Sequence, residues 1–127
     1  TLNERRIDNA AYLSAGLRDV PGLTLPTVQP GNKHVFHLYP VQIDAAQFGR
    51  TKDDFIYAML YERGVKVGTH YTPLHYATAF QSRGFRKGQF PVAEASAERL
   101  VTLPINPRQS REALDYLIAS VRSLCRG

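Results

Sequence analysis

Helical and extended patterns alternate along this chain, and the alternation limits the folds that it can adopt. Apolar residues recur at helical spacing over residues 3–18 and again after Ser110. The later stripe consists of Leu114, Leu117, Ile118, Val121 and Leu124. The order helix, strand, helix, strand, helix, short strand, helix predicts an α+β fold, with a small mixed or antiparallel sheet covered on one side by helices.

The strongest strand pattern is HVFHLYPVQI, residues 34–43, which is rich in aromatic and β-branched side chains. Pro40 has no N–H to donate to a ladder, so we expect it at an edge or a bulge. VKVGT (65–69) and VTLPI (101–105) are predicted to be shorter extended pieces.

Side chains suited to helix ends mark the remaining boundaries. Thr51 and Asp54 resemble a capping box at the start of the second helix. Gly64 can take the left-handed conformation that ends this helix. Pro91 is shaped for the first turn of the third helix, and Ser110 can cap the last one.

The length of 127 residues fits one domain with its own hydrophobic core. The apolar runs are too short for a membrane span, and the first residues do not have the pattern of a signal peptide, so we expect a cytoplasmic protein. A single cysteine, Cys125, agrees with a reducing compartment. Because the chain begins at Thr1 and has one methionine, Met59, we expect a processed product or a fragment.

The net charge of +5 raises the possibility of a nucleic acid as partner, but the basic residues are spread along the whole chain. Arg83, Arg86 and Lys87 form the only dense spot. A nucleic-acid footprint is normally a clustered face, so we do not predict nucleic-acid binding. Contact of this spot with a phosphorylated or carboxylated ligand stays open.

Several kinds of catalytic or metal site find no support. Cys125 has no histidine near it in sequence, and the chain has no G-x-S-x-G, G-x-G-x-x-G or G-x-x-x-x-G-K-[ST] motif. His34 and His37 would point to opposite faces of the predicted strand. His70 and His75 have no third metal ligand nearby. We therefore predict neither a nucleophile nor a metal centre.

The segment THYTPLHY, residues 69–76, is the remaining candidate for a site. Pro73 stiffens it, and its Thr, Tyr and His side chains offer hydrogen-bond donors and acceptors after a predicted strand. Loops in that position often carry function. The residues alone leave two alternatives open, a binding site or a packed loop whose histidines bond to backbone groups.

Three features in order, GVKVGTHYTPLH, then FPVAEASAERLVTLPINP, then an amphipathic helix, extend over most of the chain. With the earlier RR and AAYL of the first helix and the GR pair before Thr51, they resemble the C-terminal part of the DegT/DnrJ/EryC1/StrS aminotransferases. These enzymes use pyridoxal phosphate (PLP) to place amino groups on nucleotide-linked keto-sugars.

The resemblance implies that residues 1–127 form the small domain that closes the active-site cleft of such an enzyme. The larger domain would hold PLP and its Schiff-base lysine, and the full enzyme would be a homodimer. No lysine of this chain is in a setting like that lysine, so we expect no catalytic residue, no cofactor and no transamination in the isolated chain.

The resemblance also makes His70, Tyr71 and His75 candidates for contacts to the nucleotide sugar. For Arg50, contact with a ligand anion and pairing with neighbouring carboxylates are both open. Glu94 is expected to be structural, because a carboxylate in the first turn of a helix interacts favourably with the positive end of the helix dipole.

Two other functions remain as alternatives: a free-standing module that binds nucleotides or another polyanion, and an inactive remnant of the domain. If the chain is a fragment, the surface that meets the large domain should be exposed and apolar. Tyr71 and Tyr76 are the predicted members of that surface.

Overall fold

A computed structural model describes residues 1–126 of the chain. Over these residues the chain forms six α-helices, a three-stranded antiparallel sheet and one 3₁₀ turn. The helices are α1 (Leu2–Leu17), α2 (Ala45–Phe48), α3 (Lys52–Tyr61), α4 (Thr78–Gln81), α5 (Pro91–Arg99) and α6 (Arg111–Leu124). The strands are β1 (Leu23–Thr24), β2 (Tyr39–Ile43) and β3 (Leu100–Leu103), and the 3₁₀ turn is Leu74–Tyr76. None of the helices in this part of the chain is long and apolar enough to cross a bilayer.

The sheet has the order β1-β2-β3, and Gly68 adds a single antiparallel bridge to Thr102 on the outer side of β3. The predicted strand 34–43 is therefore too long, since β2 begins at Tyr39. Phe36 has a φ of 48°, and its backbone N–H donates to Nδ1 of His34, so this stretch turns instead of extending. The predicted strand 65–69 is likewise reduced to the bridge at Gly68.

Pro40 lies in the central strand but at a place that behaves as an edge. Thr102 exchanges both of its backbone hydrogen bonds with Gly68, so its pairing with Pro40 on the other side carries none. The nitrogen of Pro40 therefore faces the side of β1, where only Gln42 and Ile43 are paired. Pro40 thus lies in the central strand, but within residues 1–126 no strand pairs with its nitrogen side, as expected for a proline at an edge.

The hydrophobic core lies between one face of the sheet and helices α1, α3 and α6. Alternate residues of the sheet point into it: Tyr39, Val41, Val101 and Leu103. The helices contribute, among others, Leu13, Leu17, Phe55, Met59, Leu117 and Val121. The predicted stripe of the last helix is confirmed. Helix α5 lines a groove with Gln42 on the opposite face of the sheet, so the helices are not confined to one side.

The predicted helix ends are confirmed by their hydrogen bonds. Thr51 Oγ1 accepts from the backbone N–H of Asp54 at 3.1 Å. Ser110 Oγ accepts from the backbone N–H of Ala113 at 3.2 Å. Pro91 is the first residue of α5, and Gly64, with φ of 64°, follows the last turn of α3.

Candidate functional site

The segment 69–76, here called the polar loop, is fixed at both ends. Before it, Gly68 exchanges two backbone hydrogen bonds with Thr102, at 2.8 and 2.9 Å. At its end, the 3₁₀ turn is closed by the bond from the N–H of Tyr76 to the carbonyl of Pro73, at 2.9 Å. The peptide bond between His70 and Tyr71 is cis. The loop thus leaves the edge of the sheet and returns against the start of α5.

His75 is buried beneath the polar loop, with 6% of its surface exposed. Its Nε2 lies 2.8 Å from Oε1 of Glu94. The imidazole also packs against aromatic rings on two sides, with ring centroids 4.5 Å away at Tyr76 and 4.8 Å away at Phe90. One of its two nitrogens is therefore already occupied by a partner from the same chain.

Glu94 is equally buried, at 7% exposure, and also accepts bonds from two backbone N–H groups of the turn before α5. The N–H of Gly88 lies 2.8 and 2.9 Å from its two oxygens, and the N–H of Phe90 lies 3.2 Å from Oε1. Burial alone would raise the pKa of the Glu94 carboxyl. The hydrogen bonds from Gly88, His75, Phe90 and Tyr76 outweigh burial, so its pKa lies below the ordinary value.

Tyr76 lies between this carboxylate and the surface. Partial burial raises the pKa of its phenol, and the negative charges of Glu94 and Glu98 raise it further. The ammonium of Lys87 lies 5.9 Å from the centre of its ring. Tyr76 is only partly exposed, so it contributes less to the predicted apolar surface than expected.

His70 rests on the backbone at the base of the polar loop. A Cβ at Gly68 would overlap the ring of His70, so a larger residue here would have to displace that ring. Nδ1 of His70 and Oγ1 of Thr102 are buried without a hydrogen-bond partner among the described residues. Both residues line a cavity of about 330 Å³ that also includes Lys66.

Tyr71 is the most exposed aromatic residue of the polar loop, with 73% of its surface accessible. It stands at a separate polar cavity of about 360 Å³ between the loop, α3 and α5. Other residues that line this cavity include Lys52, His70, Thr72, Tyr76 and Glu98. The structure therefore brings His70 and Tyr71 to one polar cavity, while His75 lies beneath it.

Arg50 lies elsewhere. Its Nε donates to the carbonyl of Leu124, at 3.0 Å, across the C-terminal end of α6. A cation at this end of a helix is favourable because the last carbonyls have no partner within the helix. The side chain does not line the polar cavity. Within residues 1–126 it forms no ion pair with a carboxylate.

One member of the basic spot at Arg83, Arg86 and Lys87 is bonded to backbone carbonyls of nearby residues. Nη1 of Arg86 donates to the carbonyls of Gln81, at 2.6 Å, and Phe85, at 2.7 Å. Arg83 and Lys87 are exposed. Contact of this spot with a phosphorylated or carboxylated ligand stays a prediction.

An apolar face lies on the other side of the polar loop from the polar cavity, and we define it by four residues: Leu74, Phe80, Phe85 and Phe90. They line a groove of about 400 Å³, with Leu74 71% exposed. Phe85 is 6.1 Å from both Phe80 and Phe90, centroid to centroid. Sequence reasoning expected such a surface at Tyr71 and Tyr76, but the phenylalanines after the loop provide it.

The arrangement of the lysines bears on whether these residues could hold PLP. Three of the four are exposed: Lys33, Lys66 and Lys87. Lys52 lines the polar cavity, but its Nζ donates to the carbonyl of Ala97, at 3.0 Å. The acidic side chains of that cavity are Asp53, Glu94 and Glu98. Carboxylates repel a phosphate, so these residues do not fit the cofactor.

Metal ligands do not converge either. In the described part of the chain, no three His, Cys, Asp or Glu side chains come close enough to hold a metal ion. His34 and His37 lie before β2 and not on it.

Sequence reasoning missed the partnership of Glu94 with His75, 19 residues earlier in the chain. One local signal was present. Gly88, with φ of 95°, precedes the start of α5 and can turn its N–H toward a carboxylate in the first turn of the helix.

Comparison with known proteins finds one family that the chain resembles over most of its length. The model of the DegT/DnrJ/EryC1/StrS aminotransferase family matches residues 1–122. The erythromycin biosynthesis sensory transduction protein EryC1 of Saccharopolyspora erythraea is 36% identical over 122 residues, which cover 95% of this chain and 31% of that protein. The dTDP-3-amino-3,4,6-trideoxy-alpha-D-glucose transaminase of Streptomyces venezuelae is 32% identical and is covered to 30%.

Solved structures show the same partial match. DesV of S. venezuelae, in complex with a ketimine intermediate, superimposes with a TM-score of 0.87 at 31% identity, over 99% of this chain and 32% of that chain. The sugar aminotransferase Spr1654 of Streptococcus pneumoniae, in its PLP form, gives a TM-score of 0.84 at 26% identity, over 97% and 31%. The chain thus spans about a third of the length of the relatives that it matches.

Proposed function

The chain belongs to the DegT/DnrJ/EryC1/StrS aminotransferase family, and we propose that it is the small C-terminal domain of an enzyme that transfers amino groups to nucleotide-linked keto-sugars. The match over residues 1–122, at about a third of the relatives' length, is the observation that carries this proposal. The remaining length would be a large domain that binds PLP, in an enzyme that acts as a homodimer.

The chemistry of amino transfer belongs to that large domain. PLP supplies an electron sink when it is bound, and a protein adds binding, orientation and electrostatics around it. The lysines of this chain do not fit the cofactor, so we assign no catalytic residue here and expect no transamination by the chain alone. Its task is to present the polar loop to the cleft and orient the sugar nucleotide.

We assign the direct contacts to Tyr71 and His70. The phenol of Tyr71 is exposed beside the polar cavity, and it can both donate and accept hydrogen bonds with sugar hydroxyls. His70 lines the same cavity. Carboxylates at the cavity suit hydroxyl groups better than phosphates, so the sugar is the part of the ligand that fits there.

His75 and Arg50 have narrower roles in this proposal. Nε2 of His75 already bonds to Glu94, so a contact with the ligand would use Nδ1. Nε of Arg50 bonds to the end of α6, so its terminal nitrogens are the groups left to meet an anion.

The test uses the natural protein that contains this sequence, measured first by mass spectrometry for its length and by visible absorbance for bound PLP. Tyr71→Phe should then raise KM for a dTDP- or UDP-linked keto-sugar about 2- to 12-fold, the worth of one hydrogen bond. Tyr57→Phe, an exposed tyrosine on α3 away from the polar cavity, is the matched control and should leave KM unchanged.

Other outcomes point to the alternatives. A natural protein of only this length without PLP, which binds short DNA with strong salt dependence, would support a free-standing polyanion-binding module. Binding of neither DNA nor nucleotide sugars would indicate an inactive remnant. An Arg50→Ala variant with unchanged KM but reduced stability would remove Arg50 from the ligand contacts.

A further inference from the structure

Glu94 connects the polar loop with the turn 84–90 that leads into its own helix. Its carboxylate, on the first turn of α5, accepts from the side chain of His75 in the polar loop and from the backbone of Gly88 and Phe90. We propose that Glu94 is a positioning residue, which holds the polar loop and the turn 84–90 together so that Tyr71 stands at the polar cavity. This rests on the proposed function of that cavity.

The geometry favours a carboxylate over an amide at this position. Oε1 faces donors from His75, Gly88 and Phe90, and Oε2 faces the N–H of Gly88 again. A carboxylate has only acceptors, so both oxygens can serve these N–H groups. A glutamine would turn an NH₂ group toward one of the same donors. Two donors then face each other in a buried site, and the remaining bonds lose the charge that strengthens them.

The same contact decides which nitrogen of His75 carries the proton. Because the Glu94 carboxylate accepts, Nε2 must donate, and neutral His75 then has a free lone pair on Nδ1. The rings of Tyr76 and Phe90 hold the imidazole from two sides. Glu94 therefore sets the position and the tautomer of neutral His75 and, through the backbone on either side, the path of the polar loop.

The link reaches the polar cavity directly. Glu94 and Tyr76 both line it, together with His70 and Tyr71. The apolar face begins at the next residues, since His75 and Phe90 also line its groove. A loosened Glu94 would thus disturb the cavity and the apolar face at once, while the core beneath α1, α3 and α6 contains no part of this contact.

The test compares Glu94→Gln with Glu94→Asp, His75→Gln and, as matched control, the exposed Glu62→Gln in the 127-residue chain. Hydrogen exchange of the hydrogen-bonded amides of Tyr76, Gly88 and Phe90 should accelerate about tenfold or more in Glu94→Gln and His75→Gln. The amides of Leu117 and Val121 in α6 should keep their wild-type rates. Glu94→Asp keeps the charge on a shorter side chain, so it should restore part of the protection.

The imidazole ¹⁵N signals of His75 give a second readout that a general loss of stability would not produce. In the wild type they should show the proton on Nε2, and in Glu94→Gln this preference should weaken, because an amide oxygen is a weaker acceptor than a carboxylate. Unchanged exchange and unchanged imidazole signals would overturn the proposal. Equal acceleration in α6 would overturn it too, because Glu94 would then support the fold as a whole.

The functional arm separates this inference from the proposed function. In the natural full-length protein, Glu94→Gln should raise KM for the nucleotide sugar by at least the factor seen with Tyr71→Phe, with a smaller change in kcat. If the loop loosens but KM does not change, the sugar-binding role of the cavity is overturned and the holding role of Glu94 stands. If KM rises with no change in exchange, the holding role is overturned.

Discussion

Glu94 shows how one charged side chain can be buried in this fold. A buried carboxylate is unfavourable unless hydrogen bonds replace the water that it loses. Here backbone and imidazole N–H groups provide the replacement. From the sequence alone, the helix dipole was the expected source of stabilisation for the Glu94 carboxylate. In the structure it is one source, and the hydrogen bonds are another.

The lowered pKa of Glu94 predicts a specific dependence on acid. Its pKa lies below the ordinary 4.5, so its stabilising contribution is complete above that pH and is lost as the pH falls through the lower, folded value. The loss of Tm between about pH 7 and pH 3 should therefore be smaller in Glu94→Gln than in the wild type.

Thermal denaturation of both proteins across this range is the measurement, and Glu62→Gln should follow the wild type. His75 and Tyr76 are the titratable groups that face the carboxylate, and both are present in the two proteins. An identical loss of Tm in Glu94→Gln and the wild type would contradict the prediction.

The candidate site was predictable as a segment but not as an arrangement of side chains. The order of Thr, Tyr, His and Pro in the polar loop marked it, and Tyr71 is exposed there as a binding residue must be. The partner of His75 depends on how α5 packs on the loop, and the partner of Arg50 lies 74 residues further along the chain. Such contacts are set by tertiary packing, which local patterns do not encode.

Helices were predicted better than strands, for a physical reason. An apolar stripe such as that of α6 extends over several turns, and its capping residue Ser110 adds a second local signal. The segment 34–38 has the composition of a strand, but His34 captures the backbone N–H of Phe36 and the chain turns. A side chain that bonds to its own backbone can override strand composition in this way.

Helices α1 and α6 approach closely at Gly16, and this predicts the effect of a single methyl group. A Cβ there would lie 2.4 Å from Cδ1 of Ile118 and 3.0 and 3.1 Å from its Cγ atoms. Overpacking costs about 1–3 kcal/mol, against a gain of about 0.5–1 kcal/mol for alanine over glycine in a helix. Gly16→Ala should therefore destabilise the chain by about 1 kcal/mol.

Urea denaturation measures this change, and the double variant Gly16→Ala with Ile118→Val should recover part of it, because valine lacks Cδ1. Ile118→Val alone is the control for the lost methyl group. A Gly16→Ala variant more stable than the wild type would show that α1 and α6 can separate without cost.

The exposed surface of the chain is uneven in a way that fits a domain cut from a larger protein. One side of the polar loop is polar and carries carboxylates, and the other is the apolar face. Solitary soluble domains usually bury or disperse aromatic residues of this kind. If the proposed large domain covers this face, the isolated chain must leave it open to water.

The apolar face predicts self-association of the isolated chain. Sedimentation velocity over increasing concentration should show oligomers, and Leu74→Glu should shift them toward monomer because it places a charge on the most exposed side chain of the face. Leu2→Glu, at an exposed leucine of α1, is the matched control and should leave association unchanged. A wild-type chain that stays monomeric at every concentration would contradict the prediction.

The position of Pro40 affects how copies of the chain can meet. An unpaired strand edge with free N–H groups is a template on which another chain can add a strand. The open stretch of β2 beside β1 has proline where such a strand would need a donor. Backbone pairing between copies is therefore blocked at this gap, and a second copy that meets the chain here must do so through side chains.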